Sequence, residues 1–136
     1  MKGIIWNIRG MKDLEKLKHL RDIMKEHKVG FIGLQETMKQ DFSVYFLKTL
    51  GQGREFIWDW IPAFGRSGGI LLGLDGEKFK MLAVKKGHFF LKATVENLED
   101  KQEWDLMVVY GAAQKEHKEE FLRELAQELN LQKKNL

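Results

Sequence analysis

Residues 29–37 read VGFIGLQET, and this stretch decides how the rest of the chain is interpreted. Its first six residues are apolar or glycine, which is typical of a short β-strand buried on both faces. The polar residues Gln35, Glu36 and Thr37 end the run abruptly. An unpaired carboxylate is costly in a core, and open α/β sheets bind ligands at the carboxyl ends of their strands. Glu36 is therefore the first candidate for a chemical role. Capping of a turn, or pairing with a surface lysine, is the alternative.

The residues before this stretch complete a strand–helix–strand unit. A short apolar run at residues 4–6 predicts a strand that ends at Asn7. Apolar residues at helical spacing, from Leu14 to Met24, predict a helix over 11–28 that Asp13 caps. Such a unit makes its two strands parallel, so we expect Asn7 and Glu36 on the same rim of the sheet.

The remaining pattern predicts a mixed sheet flanked by helices, which is an α/β fold. A helix over 41–50 is expected to turn Phe42, Tyr45, Phe46 and Leu50 to one side, and a last helix is expected over 115–129. Between them, alternating or continuous apolar runs predict strands at 55–60, 70–72, 79–85, 88–97 and 104–110.

Composition limits the class of protein. The 136 residues, 43% hydrophobic and 32% charged, indicate one globular domain rather than a disordered chain. No apolar run approaches the ~18 residues of a membrane span, so no membrane partner is expected. The chain has no cysteine, which excludes disulfides and thiolate metal sites. A net charge of +3 with scattered lysines makes any affinity for DNA weak and salt-dependent.

Four short motifs occur in a fixed order along the chain. They read IWNIRG at 5–10, GLQET at 33–37, GRSGGI at 65–70 and VVYG at 108–111. Together they resemble the first half of the endonuclease/exonuclease/phosphatase superfamily domain, and more narrowly the apurinic endonuclease-like domain of plant LINE-type retrotransposons.

The resemblance implies a phosphodiesterase that acts on DNA with Mg²⁺ or Mn²⁺. Under it, Glu36 is a metal ligand, Asn7 orients the attacking water or helps to hold the metal, and Tyr110 contacts the scissile phosphate. Arg66 and Ser67 bind phosphate or DNA. Carboxylates, water and phosphate oxygens are the ligands that Mg²⁺ takes. The residues alone leave plainer roles open: Asn7 as a turn residue, Tyr110 as a strand aromatic and Arg66 as a solvated loop residue.

The chain departs from that family in its second half. Members carry a later Asp-x-Asn motif and an Asp-His pair, whereas this chain ends 26 residues after Tyr110, contains no Asp-x-Asn and has no aspartate before any histidine. We therefore expect residues 1–136 to form a single truncated domain, about one half of the family's four-layer sandwich, that is inactive or nearly so alone, since losing a general base costs 10²–10⁴-fold.

A non-catalytic interaction module is the competing prediction. The pattern suggests about one sheet, with too few helices to cover both of its faces. An uncovered apolar face would drive a symmetric homodimer, and Trp6, Phe31 and Leu72 are its candidate residues. The resemblance to retroelements also implies an intracellular, nuclear location.

Overall fold

The computed structural model describes residues 2–64 and 68–110, which form two helices and seven strands. Arg66, Ser67 and the helix predicted over 115–129 lie outside the described residues. The elements in chain order are β1 (Gly3–Asn7), α1 (Leu14–Glu26), β2 (Phe31–Gln35), α2 (Val44–Gly51), β3 (Phe56–Ile61), β4 (Ile70–Asp75), β5 (Phe79–Lys86), β6 (Phe90–Asn97) and β7 (Glu103–Val109).

The predicted strand–helix–strand unit is confirmed. β1 and β2 pair in parallel, with Asn7 opposite Gln35, so both strands end at one edge. The Asp13 side chain caps α1 as expected. The buried face of α1 is formed by Leu17, Leu20 and Met24. Leu14 was expected in the same apolar stripe, but it is the first residue of the helix and is exposed.

The second helix is shorter than predicted. α2 begins only after Ser43, whose hydroxyl accepts a hydrogen bond from the backbone of Phe46 and so fixes the start of the helix. Tyr45 was expected on the apolar side, but it is exposed because it lies in the first turn, next to Val44 and away from the buried Leu47 and Leu50.

The first sheet is mixed and has the strand order β1-β2-β4-β3, with β2 and β3 each antiparallel to β4. Both helices pack on one face of it. Their shared core comprises Leu17, Leu20, Met24, Ile32, Leu34, Leu47, Leu50 and Leu71. Every residue of β4 is buried, as expected for a strand covered on both faces.

The expectation of one sheet with an uncovered face is wrong. β5, β6 and β7 form a second, antiparallel sheet that packs on the face opposite the helices. Leu72 and Phe31 belong to the core between the two sheets, whereas Trp6 packs on the helix side. Strand period alone cannot say which sheet a strand joins, which is why the pattern was assigned to one layer.

The chain therefore has three described layers, helices, sheet and sheet, which together are consistent with part of the four-layer sandwich. Among the described residues, no helix is both long enough and apolar enough to cross a membrane.

Candidate active site

Three strand ends meet at one edge of the two-sheet sandwich. Asn7, the last residue of β1, lies opposite Gln35, the last residue of β2. The Gln35 side-chain amide reaches across to the second sheet and donates a hydrogen bond to the carbonyl of Val109. Glu36 follows Gln35 and Tyr110 follows Val109 in the chain. The three residues predicted from the sequence, Asn7, Glu36 and Tyr110, therefore all lie next to the hydrogen bond between Gln35 and Val109.

The backbone around Glu36 is held by the loop that follows β1. The amide of Ile8 donates to the carbonyl of Gln35 at 3.1 Å, and the amide of Gly10 donates to the carbonyl of Glu36 itself at 2.8 Å. These bonds continue the parallel pairing beyond the ends of both strands. They hold the β1 loop against the segment that carries the carboxylate.

The loop before β4 holds the same segment from its other side. The amide of Thr37 donates to the carbonyl of Gly69 at 3.3 Å, and the amide of Met38 donates to the carbonyl of Gly68 at 2.6 Å. The Glu36 backbone is thus fixed between two loops that come from different parts of the sequence.

Three non-glycine residues at this edge have left-handed backbone conformations. Arg9 (φ 53°), Glu36 (φ 53°) and Met38 (φ 59°) account for half of the six described non-glycine residues with positive φ. Such conformations are uncommon outside glycine and persist only where the surroundings impose them, and they are enriched at functional sites. The other three, Lys28, Gln52 and Lys101, precede the starts of β2, β3 and β7, so backbone strain alone does not distinguish the two ends of the sheets.

The two glycines of the GRSGGI motif have a steric role at this site. A Cβ on Gly68 would lie 2.9 Å from the Cα of Glu36 and 3.1 Å from its Cγ. Gly69 has a left-handed φ of +84°, and a Cβ there would lie 2.6 Å from the hydroxyl of Thr37. A side chain at either position would push the acid-bearing segment away, so the motif is needed for close approach of the backbone.

Thr37 and Gln35 are supporting residues that the sequence interpretation missed. Thr37 is fully buried, and its hydroxyl donates to the carbonyl of Gly68 at 3.4 Å while it accepts from the amide of Lys39 at 3.5 Å. A threonine directly after a buried strand was the only sequence signal for this role. Gln35 gave no signal at all, because its partner Val109 is 74 residues away.

The predicted site residues differ in exposure. Glu36 is partly buried and Asn7 is exposed, and no described side chain forms a hydrogen bond with the Glu36 carboxylate. Tyr110 is buried at the end of the core between the sheets, and its amide donates to the carbonyl of Phe89 at 2.7 Å. The structure thus brings Asn7, Glu36 and Tyr110 to one edge. Arg66 and Ser67 lie outside the described residues.

The side chains of Glu36 and Asn7 offer oxygen ligands, which suit a hard cation that needs few ligands from the protein. Among the described residues, no group of three or more histidine, aspartate or glutamate side chains could enclose a metal ion. Mg²⁺ often takes only one or two carboxylates and completes its shell with water and substrate phosphate. Among the described residues no side chain forms an ion pair with Glu36, and its carboxylate and the Asn7 amide oxygen are of the ligand types that such a partial shell uses.

No protein-family model and no curated protein matches this sequence. Solved structures do match. The human Nocturnin catalytic domain with bound sulfate aligns at a TM-score of 0.65 and 15% identity, over 93% of this chain and 59% of that one.

Two further matching structures are a protein complexed with DNA and an AP endonuclease. D. rerio TDP2 complexed with a single-strand DNA product aligns at a TM-score of 0.63 and 15% identity, over 94% of this chain and 54% of that one. The AP endonuclease LMAP from Leishmania major aligns at 0.58 and 20% identity, over 81% and 40%. At such identities the likeness establishes the fold alone. The chain spans less than three-fifths of the length of each of these structures.

Proposed function

We propose that this chain, which has the fold of the endonuclease/exonuclease/phosphatase superfamily, carries part of a metal-dependent phosphodiesterase site that acts on DNA. The observation that carries the proposal is the convergence of the ends of β1, β2 and β7. Asn7, Glu36 and Tyr110 all lie next to the hydrogen bond that joins Gln35 to Val109. A fold hosts many functions, so the proposal rests on these residues and not on the fold.

Each residue has a role that its chemistry supports. The Glu36 carboxylate and the Asn7 amide oxygen would hold Mg²⁺ or Mn²⁺, which supplies charge neutralisation at the phosphate when it is bound. The exposed Asn7 amide can also orient a water molecule at the site. The Tyr110 phenol is a hydrogen-bond donor for a phosphate oxygen. Arg66 and Ser67 are assigned to phosphate binding by the motif resemblance alone.

DNA is proposed as the substrate because structural neighbours include an AP endonuclease and a protein bound to a single-strand DNA product. The narrower proposal of an origin in a plant LINE-type retrotransposon, with a nuclear location, rests on the four sequence motifs. Neither the fold nor the site geometry bears on it.

We expect the 136-residue chain by itself to cleave DNA poorly. The described residues hold no group of three or more histidine, aspartate or glutamate side chains around Glu36, and the sequence lacks the Asp-x-Asn and Asp-His motifs that by resemblance supply the general base. Absence of a general base alone typically costs 10²–10⁴-fold in rate. The chain should therefore bind a divalent ion more readily than it turns over substrate.

Titration of the folded chain with Mn²⁺, followed by water-proton relaxation, tests the metal site directly. Glu36→Ala should abolish the binding, and Glu99→Ala should preserve it because Glu99 is exposed on the turn between β6 and β7. Equal Mn²⁺ binding by Glu36→Ala and the unmodified chain would refute the site. A parallel nicking assay on supercoiled DNA tests the expected inactivity, which efficient Glu36-dependent nicking would overturn.

A non-catalytic interaction module is the second candidate. The sequence pattern suggested an uncovered face on the first sheet, but within residues 2–64 and 68–110 the helices cover one face of that sheet and β5, β6 and β7 cover the other. One different feature favours it: β1 lies at the end of the first sheet and pairs only with β2 among the described strands. It carries Ile5, which is half exposed. An open edge strand of this kind can pair with the same strand of a second copy.

A further inference from the structure

We propose that a cavity at the end of the first sheet opposite Glu36 binds a small ligand that carries linked phosphate groups, as pyrophosphate and nucleoside diphosphates do. This opposite-end cavity lies between the ends of α1 and α2 and the turn from β4 to β5. β2 begins at this end and β4 finishes there, since Phe31 pairs with Leu74. The proposal is independent of the proposed function, because the described residues that line the cavity do not include those at the Glu36 edge.

The opposite-end cavity is rich in positive charge. Its volume is about 580 Å³, within the roughly 300–1,000 Å³ of small-molecule sites. Four of its nine lining residues are cationic, namely Lys25, Lys28, Arg54 and Lys78, and two are acidic, namely Asp75 and Glu77. The cations come from three separate segments: the end of α1, the segment before β3 and the β4–β5 turn. Concave surfaces lined by one sign of charge attract ligands of the opposite sign.

The three lysines of the cavity leave a surplus of positive charge. All three are exposed, and none has an ion pair within residues 2–64 and 68–110. Of the two lining acids, Asp75 is already paired with Arg54, so Glu77 alone offsets the three ammonium groups. Linked phosphate groups carry several negative charges at neutral pH and accept charge-assisted hydrogen bonds, so they complement this surplus better than a monovalent anion does.

Arg54 is held in a fixed orientation at the cavity. Its Nη2 donates to Oδ2 of Asp75 at 2.6 Å, and the Asp75 side chain is only 5% exposed. Its guanidinium also lies over the ring of Phe56, with Cζ 4.8 Å from the ring centroid. The guanidinium has five N–H donors, so others remain for phosphate oxygens, which its planar fork matches. A group that is already oriented loses less side-chain entropy when a ligand binds.

The backbone at Lys28 supports a role for its side chain. Lys28 follows His27, the C-cap of α1, with a left-handed φ of 49°. Glycine is the preferred residue at that position, and strained residues other than glycine are enriched at functional sites. Gln52 also lines the cavity with a φ of 57°, but its side chain donates to the carbonyl of Arg21 at 2.8 Å and so joins the two helix ends. Binding of an anion gives the Lys28 ammonium group a comparable role.

Compensation of the helix dipole is the plainer explanation of two of the cations. Lys25 lies in the last turn of α1 and Lys28 follows the helix, where positive charge is favourable. Arg54 and Lys78 lie outside both helices, so that explanation does not cover them. Several of the last carbonyls of both helices already accept backbone hydrogen bonds, which limits their repulsion of an anion.

Isothermal titration calorimetry with pyrophosphate, in EDTA and about 50 mM NaCl to limit screening, tests the proposal. Inorganic phosphate is the comparison ligand, and we expect it to bind more weakly because it carries fewer charges and oxygens. Lys28→Gly and Lys78→Ala should each weaken pyrophosphate binding by roughly fivefold, the value of one exposed charge pair. Glu77→Gln should strengthen the binding, because it removes the carboxylate that opposes the ligand.

Lys101→Gly is the matched control. Lys101 is also an exposed lysine with a left-handed φ, 63°, and it precedes β7 at the same end of the sheets, but it does not line the cavity. The variant removes the same charge and the same kind of backbone strain as Lys28→Gly, so it should keep the affinity of the unmodified chain. Neither glycine variant should lower Tm, because glycine adopts a left-handed φ without strain.

Three results would each overturn the proposal: no binding of pyrophosphate, unchanged affinity in Lys28→Gly or Lys78→Ala, or an equal loss in Lys101→Gly, which would indicate diffuse surface charge. Lysine-dependent binding of a labelled DNA duplex without binding of pyrophosphate would also overturn it, because the lysines would then serve a nucleic-acid backbone. Mn²⁺ binding by the unmodified chain and by Glu36→Ala judges the proposed function separately, whatever pyrophosphate does.

Discussion

Replacement of Gly68 by alanine is the sharpest test of how the site is built. Gly68 does not have a left-handed φ, so alanine is conformationally acceptable there and the effect of the change is purely steric. Its new methyl group would lie 2.9 Å from the Cα of Glu36, about half an ångström closer than the 3.4 Å at which ordinary contacts begin. The obstructing atom is backbone and cannot rotate away.

The expected magnitude follows from this overlap. Inserting a methyl group into packed structure typically costs 1–3 kcal/mol, and Gly68→Ala should lower the free energy of unfolding by about that amount. Relief of the clash requires the two segments to separate by roughly 0.5 Å, whereas metal-ligand distances tolerate only about 0.2 Å. Mn²⁺ affinity should therefore fall in the variant even where it remains folded.

Urea denaturation and Mn²⁺ titration of the same samples measure the two effects. Gly53→Ala is the control, since Gly53 has a φ of +78° with no atom within 4 Å of an added Cβ. That variant should lose about 1 kcal/mol through backbone strain and bind Mn²⁺ normally. If Gly68→Ala matched the unmodified chain in both stability and Mn²⁺ affinity, the claim that the glycine positions Glu36 would be wrong.

The other predictions concern the link between the sheets and the oligomeric state. Gln35→Ala removes the donor to the Val109 carbonyl, so we expect a loss of about 1–3 kcal/mol in urea denaturation together with weaker Mn²⁺ binding; unchanged values of both would show that the link is not needed. For the interaction module, light scattering at micromolar concentration should give twice the chain mass, and Ile5→Lys should give the monomer mass. A monomeric unmodified chain would exclude the homodimer.

Local sequence patterns predicted the part of the fold that depends on local physics. The βαβ unit follows from apolar spacing and from the Asp13 cap, and both are confirmed. The second sheet was not predicted as a separate layer, since the period of β5, β6 and β7 shows that they are strands but does not say where they pack. Tyr45 and Leu14 were misplaced for a related reason: helical spacing gives an apolar stripe but does not say which residues at the start of a helix are covered by other elements.

The candidate site shows the same contrast between what local sequence predicts and what long-range packing decides. Glu36 and Asn7 could be predicted as neighbours because parallel strands in one βαβ unit must end together. Nothing local could predict that Gln35 reaches Val109, or that Gly68 touches the Cα of Glu36, because each pair is far apart in sequence. These long-range contacts are also what fix the backbone that carries the carboxylate. A short motif such as GLQET therefore identifies the acid, whereas its position depends on glycines and amides that only the assembled fold brings to it.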